Sequence, residues 1–245
     1  MYGVEARARA LARLREGQSL SAVARATGVN RSTLRAWAEH PERALAGAAT
    51  ACWRHGGEPA DPRAYAYLLG QYLGDGCLSE VHRVARLRII CADAYPVIES
   101  EVVAAVLAVS GKATGTVQRE GCREVYAYWT HWPCLFPQHG PGLKHQRPIV
   151  LADWQQQIAA AQPRALLRGL IHSDGCRSIN RVTVRGKRYS YPRYFFSNES
   201  ADIRGICTDA LDRLGIAWRA NRANSISIAR RSAVAALDGF IGPKR

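Results

Sequence analysis

One segment occurs twice in this chain, and that repeat limits the possible folds more than any other feature. YLLGQYLGDGCLS begins at Tyr67 and LLRGLIHSDGCRS begins at Leu166. Each reads as an apolar helix containing a glycine, then Asp-Gly-Cys, then a serine-containing turn. Asp75 and Asp174 stand 99 residues apart. The segments that follow also correspond. After the first copy come a strand at 86–92, a helix at about 95–109, and strand-like VQRE and REVYAYW. After the second come RVTVRG (181–186), YPRYFFS (191–197), a helix at about 199–214 that Ser197 or Asn198 can cap, strand-like IAWRANR and SISIAR, and a last helix at 231–240. The expected pattern is helix, two strands, helix, two strands, helix, occurring twice. A duplication of this length implies two similar subdomains rather than a solenoid.

Ahead of the repeat lies a different kind of sequence. Residues 1–40 are helical in pattern, with Leu11, Leu14, Leu20 and Val23 at helical spacing. Within SLSAVARATGVNRSTLRAWAEH, Ser19 or Ser21 can cap a helix and Ala24 is small enough for close helix approach. Gly28 supplies the turn, and Val29, Leu34 and Trp37 face inward. This is the arrangement of a helix-turn-helix. Asn30, Arg31, Ser32, Thr33 and Arg35 fall at the start and outer side of its last helix, where side chains reach base edges and phosphates. Residues 41–62, with Pro, Gly and Ala and no periodicity, read as a linker. The expected domains are 1–40, a linker at 41–62, and 63–245, the last divided into copies at 63–150 and 151–245.

Charge points to a polyanionic partner. There are 34 Lys and Arg against 20 Asp and Glu, a formal net charge of +14. Only four of the cations are lysine. From Gly175 to Arg193 there are six cations and no anion. In RVTVR, alternation puts Arg181, Thr183 and Arg185 on one face and the valines on the other. Arg86 and Arg88 alternate in the same way with Leu87 and Ile89. Between the copies, FPQHGPGLKHQRPIVLADW gathers His139, Lys144, His145 and Arg147 into a basic stretch that either approaches phosphate or simply connects the halves. The start of the chain has no apolar signal core, and no run approaches 18 apolar residues, so secretion and membrane insertion are not expected. Seven scattered cysteines read as reduced thiols, and a cytoplasmic, nucleoid-associated location follows.

Leu68–Gly76 (LLGQYLGDG) and Leu167–Gly175 (LRGLIHSDG) resemble the nine-residue signature of LAGLIDADG homing endonucleases. The resemblance extends over Ala64 to Arg245. It implies an α+β fold: a three-helix N-terminal unit followed by a duplicated αββαββα domain with two saddle-shaped antiparallel sheets that grip DNA. The two signature helices pack on each other, which requires small side chains at the contact. Gly70 and Gly74 on one helix, and Gly169 and Ser173 on the other, are spaced i, i+4 and share a face. The resemblance makes Asp75 and Asp174 catalytic metal ligands, holding Mg²⁺ or Mn²⁺. Lys144 and Lys187 are the candidates for an auxiliary basic group, and Arg86, Arg88, Arg181, Thr183, Arg185 and Lys187 for contacts to DNA. The signature's earlier acidic position is Leu73 in one copy and His172 in the other. The expected partner is double-stranded DNA, with no membrane, and the chain is expected to act as a monomer. Two functions fit: a site-specific, metal-dependent DNA endonuclease, or a non-cleaving transcriptional regulator that keeps the fold as a DNA-binding platform. The retained carboxylates favour the first, and the helix-turn-helix suits both.

Overall fold

The computed structural model describes residues 4–41, 52–55, 59–81 and 84–242. It divides into two compact units, 1–57 and 58–245. The expected linker lies mostly outside the described residues.

In the first unit, α1 (Val4–Arg15), α2 (Leu20–Thr27) and α3 (Arg31–Glu39) end where the local chemistry ends them. Ser19 caps α2 by accepting from the Ala22 amide at 3.2 Å. Gly28 stops α2 at φ 69°, in the left-handed region. Asn30 caps α3, its Oδ1 accepting from the Ser32 amide at 3.0 Å. Ala10, Val23, Val29 and Leu34 form the core, with Leu14, Leu20, Ala24 and Trp37 packed against it.

The second unit carries the repeat. Copy one runs α4 (Pro62–Asp75), β1 (Gly76–Val81), β2 (Val84–Ala92), α5 (Pro96–Ser110), β3 (Gly115–Arg119), β4 (Cys122–Tyr128) and a short α6 (Trp132–Leu135). A connector with a 3-10 turn at Lys144–Gln146 leads to α7 (Asp153–Ala161). Copy two runs α8 (Pro163–Asp174), β5 (Gly175–Val184), β6 (Lys187–Ser197), α9 (Ala201–Arg213), β7 (Arg219–Arg222), β8 (Ser225–Ile228) and α10 (Arg231–Ile241). Each copy forms an antiparallel four-stranded sheet with the same order, β1-β2-β4-β3 and β5-β6-β8-β7. The duplicated α+β architecture is as the repeat implies.

Three local expectations are corrected. No turn follows Asp-Gly in either copy. Gly76 and Gly175 are extended (φ −94° and −101°), and each begins a strand directly. These glycines are there for space rather than for a turn. A Cβ at Gly175 would lie 2.7 Å from the Ile171 Cα, and one at Gly76 would lie 2.5 Å from the Tyr72 Cα. Secondly, α9 is capped by Ser200, whose Oγ accepts from the Ile203 amide at 3.4 Å, and not by Ser197 or Asn198. Thirdly, Arg185 is a turn residue. Arg185 (φ 50°) and Gly186 (φ 77°) are the two central residues of the β5–β6 hairpin, the type I′ pattern that matches strand twist.

The helix sides of the sheets form the core. Leu78, Leu87, Ile89, Val125 and Ala127 serve copy one; Tyr194, Phe196, Ile226 and Ile228 serve copy two. None of the seven cysteines is in a disulfide. Among the described residues, no helix is long and apolar enough to cross a membrane.

Candidate functional site at the paired helix ends

The signature helices α4 and α8 meet backbone to backbone. A Cβ at Gly70 would lie 2.6 Å from the Leu166 carbonyl oxygen and 2.7 Å from the Leu170 nitrogen. One at Gly169 would overlap the Tyr67 carbonyl oxygen. One at Gly74 would overlap Ser173 and stand 2.8 Å from Asp174 Oδ2. The carboxylate of Asp174 therefore reaches the last turn of the other signature helix. Polar residues in this contact are paired. Buried Gln71 donates to the Tyr67 hydroxyl at 2.9 Å, and that hydroxyl lies 3.2 Å from His172 Nδ1. His172 Nε2 lies 3.0 Å from the Ile241 carbonyl oxygen, to which it donates.

Asp75 is exposed and Asp174 half-buried. Asn198, just beyond the end of β6, donates to Asp174 Oδ2 at 2.6 Å. Its own Oδ1 accepts from the Ser200 amide at 2.8 Å, which fixes the side chain. Sequence reading missed Asn198 in this role because Asn before a helix reads as a cap. Asp174, Asn198, Lys144, Gly74 and Leu73 help line a cleft of 390 Å³. Its carboxylate oxygens, from Asp174 and Glu199, have the chemistry a hard divalent cation requires.

Lys144 is brought to this place by the connector. Its ammonium donates to the carbonyls of Tyr72 (2.5 Å), Leu73 (3.0 Å) and Gly74 (2.8 Å), closing the C-terminal end of α4. Burial pushes its pKa down to about 8, while Asp174 and Asp75 both pull towards the charged form. The other basic residues of the connector do different work. Arg147 donates to Pro141 O at 3.1 Å and Gly142 O at 2.7 Å, stapling the loop. Lys187 is not near the carboxylates. It pairs with Val184 at the hairpin tip, the far end of ten-residue β5, about 30 Å from the start of that strand at roughly 3.3 Å per residue.

The sheets divide the expected DNA-contacting residues. In copy one, Arg86 and Arg88 share the face turned away from the helices with Glu124, Tyr126 and Tyr128. Glu124 is fully buried and binds three arginines: Arg86 at 2.5 Å, Arg88 at 2.8 Å and Arg119 at 2.7 Å. The Arg88 hydrogen bond, reinforced by Arg119 and Arg86, overcomes burial and holds the Glu124 pKa at about 2. Arg86 also lies 4.2 Å above the Tyr126 ring. In copy two the expected face was wrong. Register from buried Gly175 puts Arg177, Arg181 and Thr183 on the helix side of β5, where Arg177 pairs with Asp238 of α10 at 2.8 Å. Ser178, Asn180, Tyr191 and Arg193 occupy the opposite face. The slip arose because RVTVR alternates perfectly but carries no mark of which side the core is on. In the first unit, Arg31, Ser32 and Arg35 are exposed and Thr33 partly so. Asn30 is committed to the cap.

Residues 2–48 match the family model of a homeodomain-like domain. Among curated proteins, none matches the sequence. Among solved structures, the chain is similar to the homing endonuclease I-DmoI in complex with DNA and Mn, with a TM-score of 0.50 and 13% identity over 74% of this chain and 97% of that one. It is also similar to the LAGLIDADG meganuclease I-AabMI bound to uncleaved DNA (TM-score 0.47, 10% identity, 72% and 82% covered). A third is full-length DUF199/WhiA from Thermatoga maritima (TM-score 0.47, 12% identity), where the match spans 75% of this chain and 56% of the other. The large unit thus belongs to the class of α+β proteins built on paired signature helices and two antiparallel sheets. Its fold is the one seen in I-DmoI, and it follows an N-terminal unit that matches a homeodomain-like domain.

Proposed function

We propose that this protein binds double-stranded DNA with both units and hydrolyses phosphodiesters at a chosen site, using a divalent cation at Asp75 and Asp174. The observation that carries the reading is the meeting of the two signature-helix ends, where Asp174 Oδ2 reaches Gly74, the neighbour of Asp75, at a cleft lined by Asp174 and Lys144. The solved relatives support it, since I-DmoI was captured with DNA and Mn. A bound Mg²⁺ or Mn²⁺ would supply charge neutralisation and an activated water. The chain's own residues have distinct parts. Asp75 and Asp174 hold the cation; Asn198 fixes the rotamer of Asp174; Lys144 sets positive charge beside the phosphate. The exposed cations of the sheets and of α3 bind the backbone on either side. The two-unit division at 57/58 supports a helix-turn-helix that docks separately from the cleaving unit.

A second reading, a non-cleaving regulator, draws on one observation. All three ammonium protons of Lys144 are used by α4 carbonyls, leaving none for a scissile phosphate. Selection from a randomised duplex library with Mg²⁺ or Mn²⁺ separates the readings. Enriched, metal-dependent, double-strand breaks at one sequence establish the nuclease. Selective binding by folded protein, with no breaks under either metal, establishes the regulator.

A further inference from the structure

The two copies hold corresponding positions in register, and those positions differ in a way that divides the work of binding DNA. In copy one the helix-distal face carries Arg86, Arg88, Glu124 and Tyr126. Pairing from Gly76↔Ile89 and Gly175↔Phe196 places Arg193, Phe195, Ser225 and Ser227 at the matching positions of copy two. An arginine is kept at the first position, but the acid has become serine. Consequently Arg86, Arg88 and Arg119 are locked by Glu124. Among the described residues of copy two, Arg181, Arg185, Lys187, Arg188 and Arg193 form no ion pair at all. Four of these five lie on the outer part of the hairpin, well beyond Tyr194, where β8 no longer pairs with β6.

We infer that copy one is the sequence-reading half, with Glu124 a positioning residue for an arginine fan, and that copy two supplies mobile, sequence-independent phosphate contacts. This rests on the DNA-binding reading. Guanine readout requires a planar guanidinium held in one orientation. Glu124 and the Tyr126 ring hold Arg86 in that way, and Arg88 and Arg119 keep part of their side chains exposed. Buried carboxylate also subtracts charge, so this fan contributes little to counterion release. Free arginines on a long ribbon have the opposite properties: strong salt dependence and weak discrimination.

The test measures dissociation constants for the library-selected duplex and a scrambled one, from about 50 to 200 mM salt, where each phosphate contact contributes roughly 0.9 to the logarithmic slope. Glu124→Gln releases the fan. It is expected to bind scrambled DNA more tightly, with a steeper slope by about one contact, while the selected-to-scrambled ratio falls about tenfold or more. Arg86→Lys keeps the charge and spares the fold. It is expected to lower the ratio about tenfold and leave the slope unchanged. Replacing Arg185 at the hairpin tip and Lys187 and Arg193 on the helix-distal face by Gln is expected to weaken both duplexes alike and flatten the slope by two to three contacts, about 2–3 logarithmic units per decade of salt. Equal weakening of both duplexes by Glu124→Gln and by Arg86→Lys, with the ratio intact, overturns the division. So does a ribbon variant that changes the ratio but not the slope. If folded wild type binds neither duplex, the DNA-binding reading itself falls.

Discussion

Gly169 approaches Gly70 so closely that a Cβ on Gly169 would stand 3.0 Å from the Gly70 Cα, and the same Cβ would overlap the carbonyl of Tyr67. The obstacle is backbone, which cannot swing aside. Gly169→Ala should therefore cost about 3 kcal/mol, the upper range for overpacking. Gly205, in α9, has nothing within 4 Å of where a methyl would stand, and its φ is not positive. Gly205→Ala should stabilise by about 0.5–1 kcal/mol. Urea unfolding midpoints of the two variants should move in opposite directions.

Asp75→Asn combined with Asp174→Asn keeps side-chain size and removes the anionic ligands. Under the nuclease reading, the double variant should bind its selected duplex at wild-type affinity or better. Its cleavage should fall about a thousandfold or more, the rate equivalent of several kcal/mol of lost charge stabilisation. Gel shift and cleavage assays on one duplex check both halves. Loss of binding in parallel with loss of cleavage would instead mark the carboxylates as structural.

Lys144→Met keeps the aliphatic stem but leaves the carbonyls of Tyr72, Leu73 and Gly74 without their donor. Hydrogen bonds to a charged group and the favourable charge at a helix C-terminus together predict a loss of about 2 kcal/mol. Thermal unfolding measures it. A variant as stable as wild type would show that water replaces the ammonium at no cost.

Glu124 has a depressed pKa in the folded state, about 2 against an ordinary 4.5. Its stabilisation is thus fully present above about pH 5 and is lost as pH falls through the folded value. The stability difference between wild type and Glu124→Gln should be constant at neutral pH and shrink between about pH 5 and pH 2. Denaturant unfolding across that range isolates the contribution, because other carboxylates act equally on both proteins.

Local sequence settled what local chemistry controls. The doubled Asp-Gly helices, the strand pairs behind each, Ser19 and Gly28 at the ends of α2, and the α+β class all depend on spacing and on single residues with strong preferences, and they are readable directly. So are the small residues at 70, 74, 169 and 173, since i, i+4 spacing already places them on one helical stripe. Three-dimensional structure decided the rest. Arg181 and Thr183 lie on the helix side because the register starts from Gly175, a reference that alternation alone lacks. Asn198 faces Asp174 across 24 positions of chain, and Lys144 reaches the end of α4 across 70. Glu124 gathers Arg86 and Arg88 from a neighbouring strand more than 30 residues away in sequence. Spacing along a chain reports which side chains share a face. Only the packing of separate elements determines which faces meet, and hence which charges pair.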